Sequence, residues 1–315
     1  MTSSSADPAA VFAADTVDVT IRPRGPWRQA LSRFMRHRLG VAALAVLAVI
    51  FLLGAFAGML APYPPARAFL EVMNKPQPLF THGHLLGTDV LGHDYLSQLL
   101  FAIRESVVSS LVCAFGATVI GVVVGALAGY YGGTFDAIVS WLTAVVVSVP
   151  AIAVLLLVVI FRWPVPPFEF GLWLMLVLWT GVARVVRATV GSLRAREYVE
   201  AAQAAGASSL RVITRHVLPN SAGTVIVAAT ALIGQSIVIV ATVDYLGFGT
   251  EQSETPTLGS LVADAARGTG GSVFAGVAAP WWLYALPAAL LVVMLVCVNF
   301  VGDTLDEALN PRTTI

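Results

Sequence analysis

The chain has 315 residues, 57% of them hydrophobic and only 11% charged, with a mean hydropathy of +0.83. Soluble domains carry about 25% charged residues, so this chain cannot cover a water-facing surface and takes membrane lipid as its main solvent. Its formal net charge is zero, which gives no basis for a nucleic-acid partner.

Residues 1–25 are rich in Ser, Ala, Asp and Thr and are expected to be a disordered tail. Residues 26–38 read as an interfacial helix, with Trp27, Leu31, Phe34 and Met35 on one side against Arg28, Arg33, Arg36 and Arg38. A first span follows at about residues 39–61, with no charge in it, and Ala61-Pro62-Tyr63-Pro64-Pro65 ends it. Such a long run after a basic stretch is an anchor, not a cleaved signal. Residues 62–103 form a polar connection in which Asp89 or Asp94 is placed to cap the next helix. His82, His84, His93 and Asp94 lie in it, but their spacing matches no compact metal site, so hydrogen-bonded loop residues are expected. The second span is about residues 106–130, with Gly121, Gly125 and Gly129 spaced by four as a ridge for close helix contact. The third, about 136–161, carries Ser148-Val149-Pro150 near its middle, where proline kinks or unwinds a helix. The fourth is about 168–186. Cys113 and Cys297 lie in apolar runs and read as small buried hydrophobes.

A polar island interrupts the apolar runs at residues 194–220. Its first half, around Glu200, Ala201 and Ala202, is strong helix former. Gly206 stands where a helix end wants a left-handed residue. Ser208 is placed to cap a second helix, with Leu210, Ile213 and Val217 on one face and Arg211 and Arg215 on another, and Pro219 is expected to stop it. A fifth span at about 223–246 contains Gln235 and Ser236 and ends near Asp244, where interfacial water would solvate the carboxylate. Residues 247–279 read as a Gly/Thr/Ser-rich loop, and the sixth span is about 281–301.

Several stretches carry a family pattern. Glu200-Ala201-Ala202, then Gly206, then Leu218-Pro219, resembles the EAA loop of ABC importer permeases, and Arg215-His216-Val217-Leu218-Pro219-Asn220 is the form of the dipeptide/oligopeptide/nickel branch. Leu86-Gly87-Thr88-Asp89-Val90-Leu91-Gly92-His93-Asp94-Tyr95-Leu96-Ser97 is similar to that branch's LGTDxxGRDxLSR signature, with His93 and Gln98 where the signature has Arg. Ala128-Gly129-Tyr130-Tyr131-Gly132-Gly133 matches its AGYYGG turn, and residues 299–312 resemble its closing segment. Where the family carries Met-Arg and Asp early in the third span, this chain has Ser140-Trp141 and Thr143, so that salt bridge is not carried over.

The resemblance implies an all-α membrane protein, the type I importer permease fold with six spans over residues 39–312. It implies a coupling loop that seats on an ATPase, through Tyr198, Glu200, Ala201, Ala202, Gly206, Ala207, Ser208 and Arg211. The implied partners are a second homologous permease in a heterodimer, two ATPase subunits holding ATP and Mg, and an extracytoplasmic binding protein. Ser148, Pro150, Gln235 and Ser236 are candidates for the translocation pathway, although Gln235 and Ser236 could equally bond a neighbouring helix.

Charge supports the same topology independently. With both termini cytoplasmic, thirteen of the eighteen Lys and Arg residues fall inside and five outside. The span centres hold no ionisable residue for an ion relay. The chain's one lysine, Lys75, sits in Met73-Asn74-Lys75-Pro76, so there is no phosphate-binding Gly-Lys loop. Energy must therefore come from a partner, and no catalysis and no cofactor are expected in this chain. The expected function is the permease subunit of an ATP-driven, binding-protein-dependent importer of di- or oligopeptides in the bacterial inner membrane. The alternatives are import of nickel, haem or another small solute, or a structural membrane subunit that transports nothing.

Overall fold

The computed structural model describes residues 26–73, 75–81, 83–162, 165–247, 256–266 and 280–309. The expected tail at 1–25, His82, parts of the 247–279 loop and residues 310–312 lie outside the described residues. The helices are α1 Pro26–Arg36, α2 Arg38–Ala55, α3 Ala57–Leu60, α4 Tyr95–Tyr131, α5 Gly133–Ser148, α6 Ala151–Arg162, α7 Pro167–Arg194, α8 Glu197–Ala204, α9 Ser209–Val212, α10 Leu218–Tyr245, α11 Leu258–Ala266 and α12 Trp281–Leu309. Among the described residues, five runs are long and apolar enough to cross a membrane: α2, α4, α7, the continuous run Ser209–Tyr245, and α12. The pair α5–α6 passes the same test as one broken span, bent by 73°. The six-span architecture is therefore present, with the kink at Val149–Pro150 opened into a full break.

Several helix limits differ from the sequence reading. α4 begins at Tyr95 and runs 37 residues, about 55 Å, which exceeds the roughly 30 Å hydrocarbon core. Its start is set by Asp94, whose Oδ2 accepts from Ser97 N at 2.9 Å and from Ser97 Oγ at 2.7 Å. α7 continues eight residues past its expected limit, to Arg194. Pro219 does not stop the helix that contains it. A π turn at Ile213–Val217 precedes it, and Leu218 N reaches back to Ile213 O. This wider turn accommodates the donor that proline lacks, so the chain passes into α10 without a break.

The segment read as a loop at 247–279 contains α11. Thr257 and Ser260 cap it reciprocally: Thr257 N donates to Ser260 Oγ at 3.0 Å, and Ser260 N to Thr257 Oγ1 at 3.1 Å. Leu258, Gly259 and Leu261 are buried, and a Cβ on Gly259 would stand 2.5 Å from Ala241 O. Asp244 is not solvated, as the sequence reading had it. It is buried and accepts from Thr257 Oγ1 at 2.6 Å, so it anchors α11 to α10.

The glycine ridge explains the closest helix pair. A Cβ on Gly121 would lie 2.6 Å from Val182 Cβ, one on Gly125 2.5 Å from Ala183 O, and one on Gly129 2.5 Å from Arg187 O. Hydrogen in place of a side chain lets α4 and α7 approach backbone to backbone. Two apolar cores result. One joins α4, α6, α7 and α10 with the polar island, and the other joins α1, α2, α11 and α12 to the first half of α4.

The connection before α4 is compact. Gly87 and Gly92 have φ of +73° and +84°, which glycine adopts without strain. His84 Nδ1 and Asp94 Oδ1 lie 2.7 Å apart and both residues are buried. His93 donates its backbone N–H to Asp89 Oδ1 at 2.7 Å, its ring Nδ1 lies 2.8 Å from Asp89 Oδ2, and Gln98 Nε2 reaches the same oxygen at 3.0 Å. The two residues that depart from the signature therefore converge on one carboxylate, which holds the His93 imidazole pKa above its ordinary value by hydrogen bonding to the charged form.

Candidate coupling site

The polar island folds as helix, corner, helix at the end of α7. Two residues separate Arg194 from α8, which has Glu197 and Glu200 in its first turn, where carboxylates complement the helix dipole. It ends in a Schellman arrangement. Gly206 N donates to Gln203 O at 2.9 Å and Ala207 N to Ala202 O at 3.1 Å, with Gly206 at φ +83°. Ser208 occupies the N-cap position of α9, but its side chain makes no cap bond; its backbone oxygen accepts from Val212 N at 3.0 Å.

Burial fixes the corner to the bundle. Val199, Val212 and Val217 are fully buried and Ile213 nearly so. Leu210, placed on that inward face by α-helical spacing, is instead 68% exposed. The π turn changes the register: Val212 and Val217, five apart, now stack inward. A side-chain bond from Gln203 Nε2 to Tyr130 Oη, 2.9 Å, ties α8 to the end of α4. Arg194 Nη1 donates to Tyr131 O at 3.3 Å.

What remains outside is a low, mixed surface. Tyr198, Glu200, Ala201, Gly206, Ser208 and Arg211 are exposed, while Ala202 and Ala207 are half-buried. Glu200 has no cationic partner among the described residues. The methyl groups of Ala201, Ala204 and Ala205 give a floor onto which another surface can close, bounded by exposed Tyr198 and Leu210. A Cβ on Gly206 would meet no heavy atom within 4 Å, so the space beside it is open.

The four pathway candidates do not form one cluster of equivalent groups. Ser148 and Pro150 are exposed at the α5–α6 break, where Ser148 Oγ donates back to Val145 O at 2.7 Å. Gln235 is exposed on α10. Ser236 is buried and donates to Ile233 O at 2.8 Å and Ser110 O at 3.3 Å, so it serves the contact between α10 and α4. The sequence reading missed one ion pair that orders this half. Arg187 of α7 holds Asp136 of α5 through both carboxylate oxygens, Nη2 to Oδ2 at 2.8 Å. The available signal was an acid in the first turn of one helix and an arginine near the end of its neighbour. Among the described residues no group of three or more His, Cys, Asp or Glu could hold a metal.

Comparison with known proteins agrees with this architecture. The family described as "Binding-protein-dependent transport system inner membrane component" matches residues 121–315, and the "N-terminal TM domain of oligopeptide transport permease C" matches residues 25–78. The "Oligopeptide transport system permease protein OppC" of Mycobacterium tuberculosis is 34% identical over 286 residues, covering 89% of this chain and 93% of that relative. Its Escherichia coli counterpart is 33% identical over 299 residues, 93% of each chain. The inward-facing methionine ABC transporter MetNI superposes with a TM-score of 0.54 at 20% identity, covering 68% of this chain and 96% of that one, which shows the fold. The chain therefore belongs to the binding-protein-dependent inner-membrane transport components, in the dipeptide/oligopeptide/nickel branch, and is a permease subunit of a bacterial ABC importer that crosses the inner membrane several times.

Proposed function

We propose that this subunit imports di- or oligopeptides and couples ATP hydrolysis on partner subunits to alternating access of its spans. The observation that carries the reading is the corner between α8 and α9: buried valines hold it to the bundle while its alanine floor, Gly206 and Glu200 stay open to a partner. Tyr198, Glu200, Ala201, Ala202, Gly206, Ala207, Ser208 and Arg211 would form the contact, with ATP and Mg held by two ATPase subunits. A second, homologous permease would complete the pathway beside Ser148, Pro150 and Gln235, with Ser236 acting at the α4–α10 contact. An extracytoplasmic binding protein would deliver the cargo. Peptide as cargo is supported by the names of the relatives. Both termini and the corner would face the cytoplasm, as the distribution of arginines favours.

The test reconstitutes the chain with its partner subunits and binding protein in vesicles and follows ATP-dependent uptake of labelled di- and tripeptides beside nickel. Peptide uptake that Glu200→Arg abolishes, with the permease pair intact, is the expected result. Uptake of nickel alone would overturn the cargo, and full uptake by Glu200→Arg would overturn the coupling role.

A further inference from the structure

The arginines of α1 take no part in the coupling corner, yet they lie at the same end of the bundle. Arg33 Nη1 donates to Ala308 O at 3.4 Å in the last turn of α12. Leu309 of that turn lies beside Gly223, four residues past Pro219, where an added Cβ would come within 3.4 Å of its side chain.

At roughly 100° per residue, α1 divides into three faces. Ala30 and Phe34 are buried against the protein. Leu31 and Met35 are 62% and 60% exposed, and Leu39, at the start of α2, is 61% exposed. Arg28, Gln29, Ser32, Arg33 and Arg36 fill the remaining arc. An exposed apolar strip beside a cationic arc is the pattern of a helix lying in the membrane interface, apolar side in the acyl region and guanidinium groups at headgroup level. Gln29, Ser32, Arg33 and Arg36 also line a cleft of about 170 Å³, room for about five waters. The neighbouring helix end carries Asp303, Asp306 and Glu307; Glu307 lies 4.0 Å from His37. Among the described residues no carboxylate forms an ion pair with Arg28, Arg33, Arg36 or Arg38.

We propose that this cleft binds the headgroup phosphate of an anionic phospholipid, whose acyl chains lie along Leu31, Met35 and Leu39. Guanidinium forks match phosphate oxygens in pairs, and Ser32 adds a hydroxyl donor. A zwitterionic lipid offers the same phosphate but brings an ammonium that the same arginines repel, so the site selects net negative headgroups. The site is independent of the cargo and of the coupling contact.

The full-length chain, purified in detergent and stripped of lipid, is titrated with phosphatidylglycerol and with phosphatidylcholine of the same acyl chains, and bound lipid is counted by native mass spectrometry. Phosphatidylglycerol is retained in preference. Arg33→Gln with Arg36→Gln lowers its affinity about 30-fold, as two surface arginines contribute near an anionic headgroup, and leaves phosphatidylcholine unchanged. Arg36→Gln alone, which makes no hydrogen bond or ion pair to α12 among the described residues, gives about a fivefold loss and carries the test if the double variant melts early. Arg162→Gln, at the opposite end of α7 from the corner, removes a charge without effect. Equal retention of phosphatidylglycerol by wild type and Arg36→Gln, or equal loss in Arg162→Gln, overturns the proposal. Displacement by soluble glycerol phosphate at lipid concentration also overturns it, since the site would then take free anions.

Discussion

Replacing Gly206 separates the two properties that the corner depends on, its backbone twist and its bare surface. At φ +83° a residue with a Cβ pays about 1–2 kcal/mol, and a β-branched one lies toward the upper end of about 1–3 kcal/mol. No overlap adds to this, because a Cβ there meets nothing within 4 Å. For Gly206→Val, about 2 kcal/mol shifts the balance between formed and opened corner about 30-fold. The two bonds that close the corner, Gly206 N to Gln203 O and Ala207 N to Ala202 O, are the ones released. The buried anchors Val199, Val212 and Val217 lie outside it, so the bundle keeps its melting temperature within a few degrees. Gly206→Asn tolerates the left-handed region but still fills the open space. The assay purifies wild type, Gly206→Asn and Gly206→Val with their partners and measures melting, ATPase retention, substrate-stimulated hydrolysis and uptake. Val should lose retention or stimulation and uptake together. Asn should follow it if the partner closes on the bare surface, and stay near wild type if only the twist matters. Wild-type uptake by Gly206→Val, or a collapse of melting temperature in both variants, would refute the reasoning.

A cysteine at Ser208 should label only from the cytoplasm and one at exposed Leu70 only from outside; the reverse pattern would invert the topology. Pro150→Leu should let α5 and α6 straighten from their 73° break, lowering uptake while assembly survives, and unchanged uptake would make the break a packing feature alone. The raised His93 pKa gives the loop a pH dependence of definite sign: the charged pair with Asp89 contributes fully below the unfolded value near 6.5 and is lost as pH rises through the higher folded value. Proteolysis of the 62–94 loop should therefore quicken with rising pH in wild type, while His93→Gln should flatten the profile; a wild-type profile with no rise would sink the assignment.

What the sequence conveyed was periodic or stereochemically forced. Long uncharged runs announced the spans, Gly121, Gly125 and Gly129 announced the α4–α7 contact, and Gly206 announced a left-handed corner, because each depends on local chemistry alone. The rest depends on what meets what. Pro219 looks like a terminator until the π turn before it is known, and the same turn sends Leu210 outward. Asp244 looks like an interfacial carboxylate until α11 folds back and Thr257 donates to it. α11 itself is short and carries Gly259 in its first turn, and its stability comes from burial against α10 and α12. The Asp136–Arg187 pair spans 51 residues, beyond any pattern that a sequence window holds.

These same contacts decide which parts can move together. α4 and α7 meet at backbone distance along most of their length, with a Cβ excluded at Gly121, Gly125 and Gly129, and such a contact has no compliant side chains to absorb a displacement. The corner leaves α7 after only two residues and is bonded to α4 through Gln203 and Tyr130. A push on α8 would therefore reach α4 and α7 together, because the two helices are in contact at backbone distance. α5 and α6 are attached differently: α5 to α7 by the half-exposed Asp136–Arg187 pair at one end, with only Val139 and Thr143 buried along it, and α6 by Leu155 and Val159 in the core it shares with α4, α7 and α10, the two being joined across the break at Val149–Pro150. A half-exposed ion pair is worth about 1 kcal/mol or less, so α5 is held more loosely than α6. Should the rigid pair move, α6 would go with the core it shares and α5 would follow across the break, which is why Pro150→Leu is expected to lower uptake.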